Sequence, residues 1–299
     1  MNRSVSAADV VYVRPAKTNP LVKLAKVAKN KPLGAVAAFI IVTMIVLAIF
    51  APVVAPYNPF SLIGGVRLTP PSWQHWMGTD DLGRDVLSRI IYGSRVSLRV
   101  GFVAVSIAMG IGVFVGVTTG YYGGKIDLLS QRLIDAIQAL PGLVLALTIV
   151  VVLGSKDIWV IVAISVVIFP GNARVVRGAV LATKSEMYVD AARAMGATHS
   201  RIMLKHILPN VMAPIIILSS LLFGGAILIE ASLSFLGLGT QPPTPSWGGM
   251  LNGAGRQYME RVPTLAIFPG LAISIAVLSF NLLGDTLRDI LDPRLRGGR

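Results

Sequence analysis

The chain has no cysteine, few histidines and few charged residues, and each shortage excludes a class of function. Without cysteine there are no disulfides, thiolate metal sites or cysteine nucleophiles. The three histidines are scattered at positions 75, 199 and 206, which is not the spacing of metal ligands. Charged residues make up 14% of the chain and hydrophobic residues 54%, whereas soluble domains carry roughly 25% charged residues. This composition predicts a membrane protein without a metal site of its own.

The sequence also lacks the short motifs of several enzyme classes. The nearest match to a Gly-x4-Gly-Lys-Ser/Thr phosphate loop, at 78–85, has Arg84 and Asp85 in place of the lysine and hydroxyl that hold phosphate and Mg²⁺. Neither a Gly-x-Ser-x-Gly elbow nor a His-Glu-x-x-His helix is present. We therefore expect a chain that is not an enzyme and that does not itself hydrolyse ATP.

Long apolar runs are abundant. A membrane span needs about 20 mostly apolar residues to cross about 30 Å of hydrocarbon. Six stretches meet this requirement, at 33–54, 97–118, 133–153, 158–175, 211–231 and 264–283. The fourth is interrupted near its end by Pro170, Gly171 and Asn172. The sequence thus predicts an all-α transmembrane domain over 33–287, with a long first outer loop at 55–96 and a polar loop at 177–210.

The net charge of +13 is placed between the apolar runs rather than along one amphipathic face, so no nucleic-acid partner is expected. The tail at 1–32 is rich in Lys and Arg and has one acid, Asp9, and the tail at 288–299 is also basic. Positive residues favour the cytoplasmic side, which predicts that both termini are cytoplasmic. The arginines of the first outer loop count for less in this assignment of orientation, because that loop is long and also carries Asp80, Asp81 and Asp85.

A small residue recurs at every fourth position of the second span, at Ala108, Gly112, Gly116, Gly120 and Gly124. Such a ridge lets another membrane helix approach closely. Packing within the chain and an interface with another subunit are both consistent with it.

The polar loop at 177–210 has helical periodicity, with a small apolar face at Tyr188, Ala191, Ala192 and Met195. Gly196 is suited to end a helix, and Thr198 or Ser200 to cap the next one. Periodicity alone is compatible with a helix that docks on a soluble partner and with a connector that lies on the membrane surface.

This loop resembles the cytoplasmic "EAA" loop of ATP-binding-cassette (ABC) importer permeases: an acid-Ala-Ala triplet, a glycine four residues beyond it, and an Ile-Leu-Pro ending at 207–209. Here the acid is Asp190 rather than the usual glutamate. The resemblance implies a loop that couples the permease to an ATPase. It assigns coupling to Glu186, Asp190, Ala191, Ala192, Arg193, Gly196, Arg201, Ile207 and Pro209.

Other strings resemble the dipeptide, oligopeptide and nickel branch of these permeases. They lie at 55–59, 78–85, 120–124, 233–239, 243–248 and 281–293, so the resemblance covers nearly the whole chain. It implies a type I importer permease with six spans in a bacterial inner membrane. The implied partners are a second permease, two ATPase subunits that bind the ATP and Mg²⁺, and an extracytoplasmic solute-binding protein, while this chain needs no cofactor. The implied function is import of di- or oligopeptides.

The sequence also offers candidate path residues within the spans and candidate contacts on the outer side. Glu230 is the intramembrane acid, and it is expected either to meet the amino group of a peptide or to pair with an outer-loop arginine. Asp135 and Arg132 are spaced as a helix ion pair. The other candidate path residues are Gln138, Ser219, Phe223 and Asn281, and the candidate outer contacts are Asp80, Asp81, Arg84, Asp85 and Trp247.

Two alternatives remain open. A gradient-driven secondary transporter is expected to show an inverted repeat and paired acids at the membrane midplane, and the sequence shows neither. Importers of nickel, opines or other small solutes share the motifs above, so the solute stays open as well.

Overall fold

The computed structural model describes residues 28–62 and 67–291, and most of both tails lies outside them. The described residues form helices joined by loops. The helices are α1 (Pro32–Ile49), α2 (Ala51–Val54), α3 (Val86–Tyr122), α4 (Gly124–Gln138), α5 (Gly142–Leu153), α6 (Asp157–Lys184), α7 (Met187–Ala194), α8 (His199–Arg201), α9 (Met212–Phe235), α10 (Trp247–Met250) and α11 (Thr264–Leu291). A π-helical turn (Ile202–Ile207) and a 3₁₀ turn (Leu208–Val211) join α8 to α9.

By length and composition, five of the described helical segments suffice to cross a membrane: α1, α3, α6, the segment from α8 to α9, and α11. The bent pair of α4 and α5, counted as one span, brings the number to six. The predicted all-α fold with six spans is therefore confirmed, but the shape of the third span differs from the prediction. The third span, predicted at 133–153, is not a straight helix, because α4 and α5 meet at 85° across residues 139–141. Pro141 cannot donate the backbone hydrogen bond that would continue α4. With 12 residues, α5 is about 18 Å long.

Two span boundaries also differ from prediction. Helix α3 begins at Val86 rather than at residue 97, so the first long loop ends at Asp85. Helix α6 continues through Pro170 to Lys184, past the predicted end at residue 175. Neighbouring helices can satisfy the backbone groups that a proline frees within a membrane.

The small-residue ridge of α3 packs against α6 within the same chain. The two helices run in the same direction, and a Cβ built on Gly116 would lie 2.6 Å from the Ala173 carbonyl oxygen. The same construction on Gly120 gives 2.9 Å to the Val180 Cβ. Gly116 and Gly120 therefore serve packing within the chain rather than an interface with another subunit. Helix α6 lies so close to them that no side chain larger than hydrogen fits between the two helices.

Helix α11 runs antiparallel to both α9 and α1. Gly224 of α9 faces Asn281 of α11, and Lys31, just before α1, pairs with Asp289 at 2.6 Å. The start of α1, the end of α3 and the end of α11 therefore lie at the same end of the bundle as α7. We call this the α7 end, and the end that carries Asp85 and Trp247 the opposite end.

Candidate coupling surface and enclosed polar networks

Helix α7 is a short helix at the end of the bundle. It follows Glu186, whose backbone is extended, and its last residue, Ala194, is followed by Met195. Gly196 has φ of +78°, a left-handed conformation that glycine adopts without strain. The Gly196 amide donates to Arg193 O at 2.9 Å, and the Ala197 amide donates to Ala192 O at 3.0 Å. These two hydrogen bonds end the helix and turn the chain toward α8. There the Thr198 hydroxyl oxygen caps the helix by accepting from the Arg201 amide at 3.4 Å.

One side of α7 is held by the bundle. Val189 and Ala192 are buried and belong to the same apolar cluster as Ile202 and Ile207. The predicted small apolar face is divided: Ala192 is buried, whereas Tyr188, Ala191 and Met195 are exposed. Val189 and Ala192 share the inner face because a helix turns about 100° per residue and residues three apart lie on the same side.

The opposite side of α7 is exposed and mixes apolar and charged groups. Met187 and Met195 are 88% and 80% exposed. Asp190 pairs with Arg193 at 3.0 Å on the surface, with 66% and 39% of their side chains exposed. The other predicted coupling residues divide in the same way: Glu186, Ala191, Gly196, Arg201 and Pro209 are exposed, and Ile207 is buried.

Tyr121, at the end of α3, ties the loop to the bundle. Its hydroxyl lies 2.8 Å from His199 Nδ1, and the Arg193 guanidinium lies 5.8 Å from its ring centroid. The ammonium of Lys184, at the end of α6, donates to the Tyr121 carbonyl oxygen. Sequence analysis missed this role of Tyr121, although the tyrosine follows directly after Gly120 of the ridge. Nearby, partial desolvation and then the Glu186 carboxylate raise the pKa of the Tyr188 phenol above its usual value.

At the opposite end, the predicted outer contacts are largely enclosed. Asp85 caps α3 by accepting from the Ser88 amide at 2.8 Å, and its other oxygen lies 2.9 Å from His75 Nδ1. Asp80 accepts from Arg84 Nε at 2.7 Å and lies 3.6 Å from Arg89 Nε. Asp80 and Asp85 are 5% and 1% exposed. Both carboxylates therefore act within the chain, where they order the loop and the start of α3.

Trp247 is also enclosed, with 1% of its surface exposed. Its indole donates to Ile90 O at 3.0 Å and packs beside Gly93 of α3. Asp81 and Arg84 are less buried than Asp80, and all three line a cavity of about 320 Å³ together with several residues between 234 and 254. Of the predicted outer contacts, Asp81 and Arg84 thus retain access to open space.

The intramembrane acid Glu230 does not pair with an arginine in the described part of the chain. Its Oε1 accepts from the Ser234 hydroxyl at 2.7 Å, and the residue is 1% exposed. Of the two roles expected for Glu230, pairing with an outer-loop arginine is therefore wrong. Serine one turn further along the same helix supplies the hydrogen bond instead.

The other path candidates lie in two environments. Phe223 stacks on Phe102 with ring centroids 5.5 Å apart, and Ser219 donates to Ile215 O of its own helix at 2.7 Å. Gln138 and Asn281 are exposed, with Gln138 at the break between α4 and α5. The structure does not bring Gln138, Ser219, Phe223, Glu230 and Asn281 into one site.

The predicted pair of Asp135 with Arg132 is also wrong. Asp135 instead pairs with Arg174 of α6 at 2.7 Å. Likewise the two carboxylate oxygens of Asp127 accept hydrogen bonds from Nε and Nη2 of Arg177, each at 2.6 Å. The two ion pairs fasten α4 to α6, because α4 is bent away from α5 and lies along the α6 end that carries the arginines.

Comparisons with known proteins agree with this architecture. Residues 112–297 match the family described as binding-protein-dependent transport system inner membrane component. Residues 25–71 match the N-terminal transmembrane domain of oligopeptide transport permease C.

Two relatives match nearly the whole chain. The dipeptide transport system permease protein DppC of Alkalihalophilus pseudofirmus is 45% identical over 268 residues, which are 90% of this chain and 88% of the relative. The glutathione transport system permease protein GsiD of Escherichia coli O1:K1 / APEC is 45% identical over 270 residues, 90% of this chain and 89% of the relative. The chain therefore belongs to the binding-protein-dependent inner-membrane components, as a multi-pass ABC importer permease of the dipeptide and oligopeptide type.

Proposed function

We propose that this chain forms half of the translocation path of an ATP-driven importer of di- and oligopeptides. A second permease subunit forms the other half, two ATPase subunits bind ATP and Mg²⁺, and a solute-binding protein delivers the peptide. The chain itself is not an enzyme and carries no cofactor. The observation that supports this most directly is α7, a helix pinned on one side by Val189 and Ala192 and exposed on the other.

The α7 end is then the cytoplasmic end, and both termini are cytoplasmic. The positive-inside rule supports this orientation, because Lys125, Arg174, Arg177, Lys184 and the loop arginines belong to that end. The start of α1 and the end of α11 lie there too, beside the Lys31–Asp289 pair.

Force applied to α7 would reach the spans through its buried side, where Val189 and Ala192 pack in the apolar cluster of the bundle, and through Tyr121. Tyr121 links α8 to the end of α3, and Lys184 links the end of α6 to the same tyrosine. Because α3 and α6 touch along their glycine ridge, they would move as one body when α7 is displaced. Closure of the ATPases would thereby rock this pair of helices and alternate access to the path.

The names of the two relatives support a short peptide as solute. We propose Gln138 and Asn281 as path contacts because both are exposed polar side chains within the spans. Ser219 lies nearer the interior and would shape the path, whereas Phe223 stacks on Phe102 of α3 and is not proposed as a path contact. Glu230 is enclosed, so we propose that it maintains the path wall rather than meeting the peptide in this conformation.

The test replaces Gly196 with leucine in the complete complex reconstituted into vesicles. Gly154 is the matched control, because it also has positive φ and open space around it, but it ends α5 rather than the coupling loop. We expect Gly196→Leu to abolish ATP-dependent dipeptide uptake while Gly154→Leu retains most of it. Gly154, with φ of +101° and ψ of +159°, is in a conformation that other residues adopt even less readily than that of Gly196, so a loss of uptake confined to Gly196→Leu reports on docking rather than on backbone strain.

Other outcomes would contradict parts of the proposal. Equal uptake by the two variants would contradict docking through α7. Uptake that persists without ATP and collapses with an ionophore would identify a gradient-driven carrier. ATP-dependent uptake of nickel but not of dipeptides would keep the coupling and replace the solute.

A further inference from the structure

Two neighbouring cavities share a pair of arginines on α3. Arg95 and Arg99, one helical turn apart, line an apolar cavity of about 440 Å³ and a polar cavity of about 710 Å³. Arg99 pairs with Asp157 at 2.6 Å. Among the described residues no carboxylate lies within ion-pair distance of Arg95, which is exposed. A cation without an acidic partner at the junction of an apolar and a polar space is suited to an amphipathic anion.

The apolar cavity lies between α1, α3, α9 and α11. Its walls include Phe102, Phe223 and Phe280 on one side and Ile45 and Ile49 of α1 on the other. Ile45 and Ile49 are also 43% and 61% exposed, on the helix that exposes Phe39 at 71%. The cavity is therefore continuous with the apolar face of α1, which a protein crossing a membrane presents to lipid chains.

The polar cavity adds the groups that a headgroup needs. Lys156 supplies a third cation, and Ser155, Thr240, Thr244 and Gln241 supply hydroxyl and amide groups. Asp157 is the acid of this lining, and it is already engaged by Arg99 and by the Thr240 hydroxyl at 2.9 Å. Three cations against one acid leave the cavity positive.

The arginines lie at the depth of a membrane surface. Helix α1 begins at the α7 end and ends at Ile49, which lines the same cavity as Arg95. Its 18 residues rise about 27 Å, close to the roughly 30 Å of hydrocarbon in a bilayer. Arg95 thus lies near the boundary of the opposite leaflet, where lipid phosphates are found and where arginine side chains reach headgroups.

We propose that this junction is a binding site for an anionic phospholipid. The phosphate bonds to Arg95 and Arg99, the rest of the headgroup occupies the polar cavity beside Lys156, and one acyl chain enters the groove between α1 and the phenylalanines. The site requires only that the chain lies in a membrane and does not depend on the transported solute.

The test measures lipid binding to the full chain in detergent by native mass spectrometry. The probes are dioleoyl phosphatidylglycerol and, as the zwitterionic comparison, dioleoyl phosphatidylcholine. We expect one phosphatidylglycerol to bind more tightly than all others, and Arg95→Gln to weaken it about tenfold, the loss of one charge-assisted hydrogen bond. Arg132→Gln is the control, because Arg132 is exposed on α4, and it is expected to leave this binding unchanged.

A second variant tests the groove separately from the charge. Ala48 lines the apolar cavity and is 8% exposed, so Ala48→Phe is expected to fill the groove and weaken phosphatidylglycerol binding. In a separate competition with the unaltered chain, free inorganic phosphate is expected not to displace the lipid, because it lacks an acyl chain. Equal binding of the two lipids, or equal loss in the Arg95 and Arg132 variants, would overturn the site. Displacement of the lipid by a dipeptide would assign the cavities to the translocation path instead.

Discussion

The two ends of the bundle use aspartate and arginine in opposite ways. At the α7 end, Asp190 and Arg193 form a pair with 66% and 39% of their side chains exposed. At the opposite end, Asp80 and Arg84 form a pair with 7% and 13% exposed, and Asp85 is engaged on both oxygens. An exposed pair contributes about 1 kcal/mol or less to stability and remains accessible to a partner. Removing one partner of a buried pair leaves an uncompensated buried charge and is strongly destabilising, and such a pair presents little surface to other molecules.

This difference separates two kinds of motif that look alike in sequence. Both strings, 78–85 and 186–196, are short, charged and contain glycine. The first is a loop whose charges close on each other and cap α3. The second is a helix whose charged side lies on the surface and is available for docking.

The largest effect is expected where a buried carboxylate is removed. Asp85→Ala takes away the cap of α3 and leaves His75 and the Ser88 amide without their acceptor, which is expected to cost about 3 kcal/mol. Thermal unfolding of the full chain in detergent measures this loss. Asp85→Asn keeps the shape and one acceptor oxygen and is expected to lose clearly less, and equal losses would show that the charge alone matters.

Smaller changes in stability, of opposite sign, are expected for the same glycine-to-alanine substitution at two positions on α3. Gly116 touches the α6 backbone, whereas Gly110 on the same helix has open space around it. Gly110→Ala is expected to stabilise the chain by roughly 0.5–1 kcal/mol, because alanine favours the helix. Gly116→Ala gains the same propensity but is expected to destabilise the chain by about 1–3 kcal/mol, because α6 must move away.

Thermal unfolding of the two glycine variants side by side decides this prediction. If both substitutions stabilise the chain, α3 and α6 do not pack as closely as the glycine contacts indicate, and the proposal that they move as one body loses its support.

The smallest effect on stability is expected at the α7 end. Asp190→Ala removes one partner of an exposed pair and is expected to change the free energy of unfolding by about 0.5 kcal/mol or less. The same variant is expected to lose most ATP-dependent uptake if α7 docks on an ATPase. A large loss of stability would instead show that Asp190 serves the fold, as Asp85 does, and the contrast between the two ends would fail.

Much of this protein was determined by the sequence alone. Apolar runs of span length predict the helices because hydrocarbon leaves no water for the backbone, so each span must satisfy its own hydrogen bonds. Gly196 predicts the end of α7 because a left-handed residue is needed there. The order of the family-specific strings predicted the family, which the comparisons then confirmed.

Only the tertiary structure decided which partner each polar group takes. Asp135 lies near Arg132 in sequence and pairs with Arg174 in space, and Glu230 bonds to Ser234 rather than to an arginine. Likewise the bend before α5 turns one predicted span into two helices, and α6 passes Pro170 without a break. Local sequence sets propensity and spacing, but burial and pairing depend on which helices meet, and those contacts join residues far apart along the chain.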